Sequence, residues 1–173
     1  KIYKPLLLLS LVFQGCNDFE DLNTNPNEPT AVSSGVLFSS AIRNSAQTQS
    51  NESFLLGNNI AQLSAKTIRA EVDFYGWNAF PTVWEGFYES LTDVQQVIDI
   101  SVETGDTATQ AAAVIYKSWI YSVLTNAYGD IPYSEAMKGL EANFTPAYDS
   151  QEAIYADLLS SLEQAVGMLS NGG

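Results

Sequence analysis

The sequence predicts an all-α fold, a stack of antiparallel helical hairpins, over most of its 173 residues. The first observation is a series of long segments in which apolar residues recur at the i, i+3, i+4, i+7 spacing of one helix face. The second is that short connections containing Gly, Pro and Asp separate these segments, as expected between antiparallel neighbours. The third is that no segment has a convincing strand pattern. No strict 34-residue repeat is present, so any repeat character is degenerate.

The first fifteen residues have the pattern of a secretory signal. Lys1 and Lys4 form a basic start, and the apolar stretch that ends at Phe13 is too short for a stable membrane-spanning helix. A small residue then precedes Cys16, the only cysteine. This arrangement resembles a bacterial lipoprotein signal, in which residues 1–15 are removed and the Cys16 thiol carries a diacylglycerol. The alternative is an ordinary secretory signal with a chance cysteine, and both interpretations predict export from the cytoplasm.

Residues 16–32 form a polar, acidic leader that we interpret as an extended tether. Pro26 and Pro29 exclude a continuous helix here, and the frequent Asn residues favour turns. The alternating Asp and Asn side chains from Asp21 onward also resemble the start of a calcium-binding loop. Such a loop needs Gly at its sixth position and Glu at its twelfth, where this chain has Pro26 and Val32. We therefore predict no metal site in the tether.

Two helices are predicted at the start of the helical region, which covers residues 33–173. The first runs over about residues 33–49 and is capped by Ser33 or Ser34. The second runs over about residues 54–70. The residues expected to face inward are Val36, Leu37 and Ala41 in the first helix and Leu56, Ile60, Leu63 and Thr67 in the second.

An aromatic loop over residues 71–81 leads into the two clearest helices, at about residues 82–102 and 107–128. The segment around Gly105 ends one of these helices and begins the next. Apolar residues are so frequent on the later helix that we expect it to be central in the fold. The inward residues predicted for this pair are Trp84, Phe87, Tyr88, Leu91, Val94 and Ile98, then Ala112, Ile115, Tyr116, Trp119, Ile120, Val123, Leu124 and Ala127. For the aromatic members on these faces, core packing is preferred over ligand contact.

A loop over residues 129–149 precedes the last predicted helix. The beginning of this loop, residues 128–133, has two interpretations, a binding loop and a structural turn. The structural turn is preferred, in which Gly129 permits a positive φ and Asp130 bonds nearby amides. Asp149 and Glu152 have the spacing of a capping pair for the helix that follows. The predicted inward residues of this helix are Ile154, Leu158, Leu162, Ala165, Val166 and Leu169.

The composition excludes several function classes. Twenty acidic residues face seven basic ones, and the formal net charge is −13. Because the basic residues form no run, nucleic-acid binding and electrostatic adhesion to anionic lipid are not expected. The chain contains no histidine, which removes Ser-His and Cys-His nucleophile pairs and the usual zinc sites. We predict no cofactor other than a covalent lipid on Cys16, and no nucleic-acid partner.

Several sequence blocks occur in a characteristic order. They are the lipoprotein-type Cys16, the run Asp21 to Asn27, the helix start Trp84 to Tyr88, and two blocks at residues 126–136 and 144–152. The last two read Asn-Ala-Tyr-Gly-Asp-Ile-Pro-Tyr-Ser-Glu-Ala and Phe-Thr-Pro-Ala-Tyr-Asp-Ser-Gln-Glu. Together they resemble the N-terminal part of the SusD/RagB family of Bacteroidetes outer-membrane lipoproteins, in its SusD-like branch. Members of this family are much longer, so we expect a fragment whose C-terminal part is missing.

The resemblance implies tetratricopeptide-like helix pairs and a lipid-anchored protein on the outer membrane, facing the cell exterior. It also implies a partner, a SusC-like TonB-dependent transporter on which the lipoprotein sits as a lid. The ligand implied is an oligosaccharide, or in some members a peptide, that is captured for import. Asp18, Glu20 and Asp21 after Cys16 resemble the family's surface-export signal.

Tyr75, Trp77 and Asn78 are the candidate ligand-binding residues. An aromatic face packs against the C–H side of a sugar ring, an amide hydrogen-bonds the hydroxyls, and a loop can present both. The alternative for Trp77 is a packing role in which it closes the end of the helical stack.

We predict a binding protein that is not an enzyme. A glycosidase needs two carboxyl groups about 5 Å or about 6.5 to 9.5 Å apart. Glu85 and Glu89 share a helix face, but this spacing is more typical of a solvated surface. Two alternatives stay open: a secreted glycoside hydrolase subunit that uses Asp/Glu pairs, and a structural tetratricopeptide-like adaptor that binds partner proteins.

Overall fold

The computed structural model describes residues 32–68, 72, 74, 76 and 81–171. The chain divides into two compact units, Lys1–Val32 and Ser33–Gly173, and the predicted signal and most of the tether lie outside the described residues. The described part of the second unit holds four long helices. They are named α1 (Ser34–Glu52), α2 (Pro81–Thr104), α3 (Thr107–Tyr128) and α4 (Gln151–Asn171). Each long helix packs against the next, which confirms the all-α stack.

The helix α1 begins as predicted at a serine cap, where Ser33 Oγ accepts a hydrogen bond from the amide of Val36 at 3.4 Å. The prediction that it ends before a separate helix over residues 54–70 is wrong. The helical path continues through a π-helical turn, Ser53–Gly57, and a last α-helical turn, Asn58–Ile60. The physical reason is that the polar residues at the predicted break contain neither Pro nor Gly, so nothing stops the helix there.

The chain leaves this helix just after Ile60. Gln62 has a positive φ of 56°, and the amide of Leu63 donates to the carbonyl of Asn58 at 2.8 Å. Residues 64–68 contain no helix or strand. The side chains of Ile60 and Leu63, predicted to face inward, are exposed, as is that of Thr67. The apolar period in this stretch therefore does not mark a buried face.

The helices α2 and α3 match their predicted ranges closely. Pro81 begins α2, at the first-turn position that proline favours. Gly105 follows its end with φ 71°, and Asp106 caps α3 by accepting a hydrogen bond from the amide of Thr109 at 3.0 Å. Gly129 ends α3 with φ 77°. The helix α3 packs against both α2 and α4, so its predicted central position is confirmed.

A small antiparallel sheet, which the sequence analysis did not predict, joins the two ends of the loop between α3 and α4. β1 (Ile131–Pro132) pairs with β2 (Tyr148–Asp149), with Ile131 opposite Asp149 and Pro132 opposite Tyr148. A single turn of 3-10 helix, Gly139–Glu141, lies between them. Both residues of β1 are buried, which fixes the loop against the helices.

The predicted capping pair of Asp149 and Glu152 is wrong. At the start of α4 the hydroxyl oxygen of Ser150 accepts a hydrogen bond from the amide of Ala153 at 3.3 Å. The carboxylate of Asp149 is already used on the loop, where it accepts from the amide of Ser134 at 2.8 Å. Because the Asp149 carboxylate is bound to the loop, it does not cap α4, and Ser150 takes that role.

The core contains residues of all four long helices. Its largest fully buried side chains are Phe87, Leu91, Ile120, Tyr121, Leu124, Ile131 and Ile154. Six further residues predicted to face inward are instead exposed: Val36, Ile115, Trp119, Ala127, Val166 and Leu169. The central helix α3 also buries Ala113, Ser118, Tyr121 and Thr125, outside its predicted stripe. This follows from its two neighbours, because a helix packed on two sides buries more than one face.

Candidate functional site

The residues predicted to bind ligand or lipid lie outside the described residues, and their roles stay predictions. They are Tyr75, Trp77, Asn78 and Cys16. The segment of the first three precedes α2 directly, and the described Phe74 within it has an exposed side chain. The surface around the start of α2 is therefore the described part of the candidate site.

Four aromatic side chains pack together at the start of α2, and we call Trp84, Tyr88, Tyr128 and Tyr148 the aromatic cluster. Trp84 is its centre. The ring centroid of Tyr88 lies 4.8 Å away and that of Tyr128 lies 5.2 Å away, edge-on at 87°. Tyr148 is stacked on Trp84 at 6.3 Å and 23°. The indole ring of Trp84 thus contacts all three tyrosine rings of the cluster.

The four rings lie on three separate elements, α2, α3 and β2. Trp84 lies in the first turn of α2, Tyr128 is the last residue of α3, and Tyr148 is on β2. The pairing of β2 with β1 brings Tyr148 beside the helix ends. Tyr148 is 65% exposed and Tyr128 is 40% exposed. Tyr128 and Tyr148 therefore present aromatic surface to solvent, while Trp84 and Tyr88 beneath them pack against the core.

Hydrogen bonding fixes the inner side of the cluster. The hydroxyl of Tyr88 donates to the carbonyl of Pro132 on β1 at 2.7 Å. Burial, and then the neighbouring hydroxyls of Tyr121 and Tyr148, raise the pKa of Tyr88, so it stays neutral and keeps its proton to donate. Burial, followed by the negative charge of Glu52, raises the pKa of Tyr128. Both rings are uncharged at physiological pH.

Glu52 lies where the end of α1 meets the start of α2. It is only 9% exposed, and its Oε1 accepts a hydrogen bond from the hydroxyl of Thr82 at 2.5 Å. Its Oε2 is buried and has no hydrogen-bond partner among the described residues. A π-helical turn follows this residue directly, and such turns frequently occur at functional sites. The charge of this buried carboxylate acts on the exposed Tyr128, whose pKa it helps to raise.

The exposed aromatic surface of the cluster is suited to binding. Among the described residues, no group of three or more Asp, Glu, Cys or His side chains is placed to hold a metal ion. Glu85 and Glu89 are exposed on α2, as expected for a solvated face. No helix in the part of the chain that the structure describes is both long and apolar enough to cross a membrane. An exposed aromatic face beside hydrogen-bonding groups is the arrangement that sugar rings fit.

The sequence analysis assigned Trp84 and Tyr88 to the core, placed Tyr128 at the start of a segment for which a structural turn was preferred over a binding loop, and did not name Tyr148 as a ligand contact. Both helical rings are half-buried, so they combine a packing role with support of the surface. The position of Tyr148 in a Pro-containing loop is a signal for exposure, since loops run over the protein surface. The predicted turn before it has the expected geometry: Gly129 has a positive φ, and Asp130 accepts from the amide of Gln151 at 3.0 Å.

Comparison with known proteins identifies relatives of this chain. The model of the SusD-like family, described as starch-binding and associating with the outer membrane, matches residues 26–173. No curated protein is similar enough to count as a match.

Two solved structures share the fold. One is a SusD homologue from Bacteroides fragilis, 24% identical with a TM-score of 0.62, and the match covers 82% of this chain and 29% of that one. The other is a SusD/RagB family protein from Bacteroides thetaiotaomicron, 23% identical with a TM-score of 0.63, covering 80% of this chain and 31% of that one. This chain therefore spans less than a third of the length of either structure.

Proposed function

The chain belongs to the SusD-like family, described as starch-binding and associating with the outer membrane, and from this premise we propose that it is the N-terminal part of a cell-surface glycan receptor. The receptor retains oligosaccharides and passes them to a SusC-like TonB-dependent transporter for import. The family match carries this proposal, and the aromatic cluster supports it, because it offers the type of surface on which a sugar ring packs.

Tyr148 is the described residue best suited to contact the glycan. Its ring is 65% exposed and is stacked on Trp84, so the face available to ligand is held in place before binding. A preorganised ring avoids the entropic cost of being ordered by the ligand. We further propose that Tyr75, Trp77 and Asn78 extend this surface, since their segment leads directly into the helix that carries Trp84.

Retention of polysaccharide tests the binding role. Native affinity electrophoresis in gels containing amylopectin, and titration with maltoheptaose, are expected to show binding by the wild-type chain. Tyr148→Ala and Trp77→Ala should each weaken it by about threefold to tenfold, the range expected for loss of one aromatic contact of about 0.5–1.5 kcal/mol.

Phe144→Ala is the matched control for these variants. Phe144 lies in the same loop as Tyr148 and is 78% exposed, but it is not part of the aromatic cluster. Its replacement should leave retention unchanged. Unaltered mobility of the wild-type chain in amylopectin, xylan and dextran gels alike would contradict a glycan receptor. Release of reducing ends during incubation would favour the glycoside hydrolase alternative.

Attachment to the membrane is proposed to occur through acylated Cys16, with the protein facing the cell exterior. Metabolic labelling with an alkyne fatty acid should mark the wild-type protein, and Cys16→Ser should abolish the label. Protease added to intact cells should digest the wild-type protein. A labelled protein that protease cannot reach would place the anchor on the inner side of the outer membrane.

The transporter partner is proposed from the family alone. Solubilisation in mild detergent followed by capture of a C-terminally tagged full-length protein should recover a TonB-dependent barrel in equal amount. Recovery of the receptor alone under conditions that keep other outer-membrane complexes intact would contradict this part of the proposal. It would leave the structural adaptor alternative to be tested with soluble proteins.

A further inference from the structure

A polar cavity of about 320 Å³ lies between α2, α3 and the segment that follows β1. None of its lining residues belongs to the aromatic cluster. Its polar side chains come from both helices and from the loop, and include both signs of charge. They are Gln95, Asp99, Lys117, Ser134, Lys138 and Glu141.

Lys117 is the central cation of this cavity. Its ammonium group donates a hydrogen bond to Gln95 Oε1 at 2.7 Å and lies 5.9 Å from the ring centre of Tyr121. Gln95 in turn donates through Nε2 to Asp99 Oδ1 at 2.8 Å. Burial lowers the pKa of Lys117, while the charges of Asp99 and Asp157 oppose that effect. A partly desolvated ammonium with one such bond keeps two further N–H donors for other acceptors.

The loop side of the cavity is fixed by hydrogen bonds. The hydroxyl of Tyr133 donates to Asp157 Oδ2 on α4 at 2.6 Å. The next residue, Ser134, donates to Asp149 through its amide at 2.8 Å and through its hydroxyl at 2.9 Å. A second, smaller cavity of about 190 Å³ shares Gln95, Lys117 and Tyr133 with the first. The cavity wall is therefore built from groups with defined positions.

We propose that this cavity is a second carbohydrate site that holds a single sugar ring, separate from the aromatic cluster. The ligand class rests on the proposed function as a glycan receptor. The volume of about 320 Å³ is at the lower end of the range for small-ligand pockets, about 300–1,000 Å³. Tyr133 and Met137 supply apolar wall beside the polar groups.

The mixture of donors and acceptors favours a polyhydroxylated ligand over an ion. Each sugar hydroxyl donates one hydrogen bond and accepts others. Lys117 and Lys138 offer donors to it, and Asp99 and Glu141 offer acceptors. Two cations and two carboxylates line the cavity, so neither an anion nor a cation meets a wall of uniformly opposite charge.

The two methionines of the chain make a direct test possible. Met137 lines the cavity, whereas Met168 lies on α4 and does not. The full chain, labelled with carbon-13 at its methionine methyl groups, is titrated with D-glucose. We expect the Met137 resonance to shift in a saturable way and the Met168 resonance to stay constant.

Variants separate this site from the aromatic cluster. Asp99→Asn removes an acceptor from the wall and should weaken D-glucose binding by about tenfold. Asp93→Asn removes the same charge from the same helix outside the cavity lining and should have no effect. Tyr148→Ala should leave the Met137 response to D-glucose intact while it weakens retention of maltoheptaose.

Two results would overturn the proposal. One is a Met137 resonance that D-glucose does not move, or moves equally in Asp99→Asn. The other is a response to sodium acetate in place of D-glucose, which would indicate a carboxylate site. Maltoheptaose retention with a silent Met137 would reject the second site alone. A Met137 response without any polysaccharide retention would reject the receptor function and keep the cavity site.

Discussion

The hydroxyl of Tyr88 connects α2 to β1 through its bond to the carbonyl of Pro132. Because Pro132 is buried, Tyr88→Phe leaves a buried acceptor without its partner. Loss of such a partner costs about 1–3 kcal/mol, and we expect that decrease in the free energy of unfolding measured with urea. Tyr155→Phe is the control, since its hydroxyl bonds the exposed Asn126 at 3.0 Å, and it should cost less than about 0.5 kcal/mol. Equal losses in the two variants would contradict this role of Tyr88.

The carboxyl group of Asp149 makes the stability of the folded chain depend on pH. Hydrogen bonds from the amide and hydroxyl of Ser134 and from the amide of Tyr133 hold the pKa of its carboxyl below the ordinary value of 3.8, although slight burial opposes them. A carboxyl with a lowered pKa in the folded state stabilises the fold above pH 3.8, and that contribution is lost as pH falls through the lowered value.

We therefore expect the wild-type chain to melt at a higher temperature than Asp149→Asn at pH 7. The difference should shrink as the pH is lowered below about 4, because the wild-type carboxyl then takes up a proton. Thermal melts followed by circular dichroism across this range measure it. A difference in melting temperature that stays constant down to pH 2.5 would show that protonation of Asp149 is not involved.

At the scale of elements, α1 and α2 approach closely where their residues are small. Ala41 and Ser45 on α1 are fully buried. A Cβ added at Gly86 on α2 would overlap the hydroxyl oxygen of Thr48 and lie 3.1 Å from its methyl carbon. The glycine therefore permits this close approach, because a larger residue must displace the Thr48 side chain or push the helices apart.

Gly86→Ala is expected to destabilise the fold by about 1–3 kcal/mol, even though alanine favours a helix by about 1 kcal/mol over glycine. Thr48→Ala in the same chain should restore most of the loss by making room. Gly167→Ala on α4 is the matched control, since an added Cβ there meets no atom within 4 Å. It should stabilise the protein by about 0.4–1 kcal/mol. Urea unfolding of these three variants and of the wild-type chain measures these effects, and a stabilising Gly86→Ala would contradict close packing.

The elements also show what local pattern can predict. The helices α2 and α3 could be predicted because Gly105, Asp106 and Gly129 give unambiguous signals at their ends. The continuation of α1 through Ser53–Gly57 could not, since a run of polar residues without Pro or Gly does not show whether a helix ends there. Val166 shows a further limit, because a helical period identifies an apolar face without showing how much of it a neighbour covers.

At the scale of the whole molecule, the aromatic cluster depends on the order in which the elements pack. Trp84, Tyr128 and Tyr148 are far apart in sequence and meet because α2, α3 and β2 do. No local pattern contains such a contact, so the analysis could predict aromatic residues suited to sugars without predicting which of them assemble. The cavity around Lys117 was missed for the same reason, as its polar residues come from α2, α3 and the loop after β1.

The last helix closes this assembly, and its removal should affect the entire fold. Ile154 and Leu158 of α4 are buried in the core, and each contributes about 1.5–3 kcal/mol. The side chain of Gln151 also donates to the carbonyl of Thr125 near the end of α3, at 2.7 Å. These contributions are comparable to a typical net stability of about 5–15 kcal/mol. A chain that ends at residue 150 should therefore lose cooperative unfolding in urea, measured by circular dichroism and by tryptophan fluorescence.

Removal of residues 1–32 is the matched control, because the buried core residues in the described part of the chain begin at Ala41. The shortened chain should keep its helical signal and melt within about 2–4 °C of the complete one. Cooperative unfolding of the chain that ends at residue 150 would mean that α1, α2 and α3 are stable without α4. That result would contradict a single cooperative unit extending from α1 to α4, and the aromatic cluster would then have to be supported by the first three helices alone.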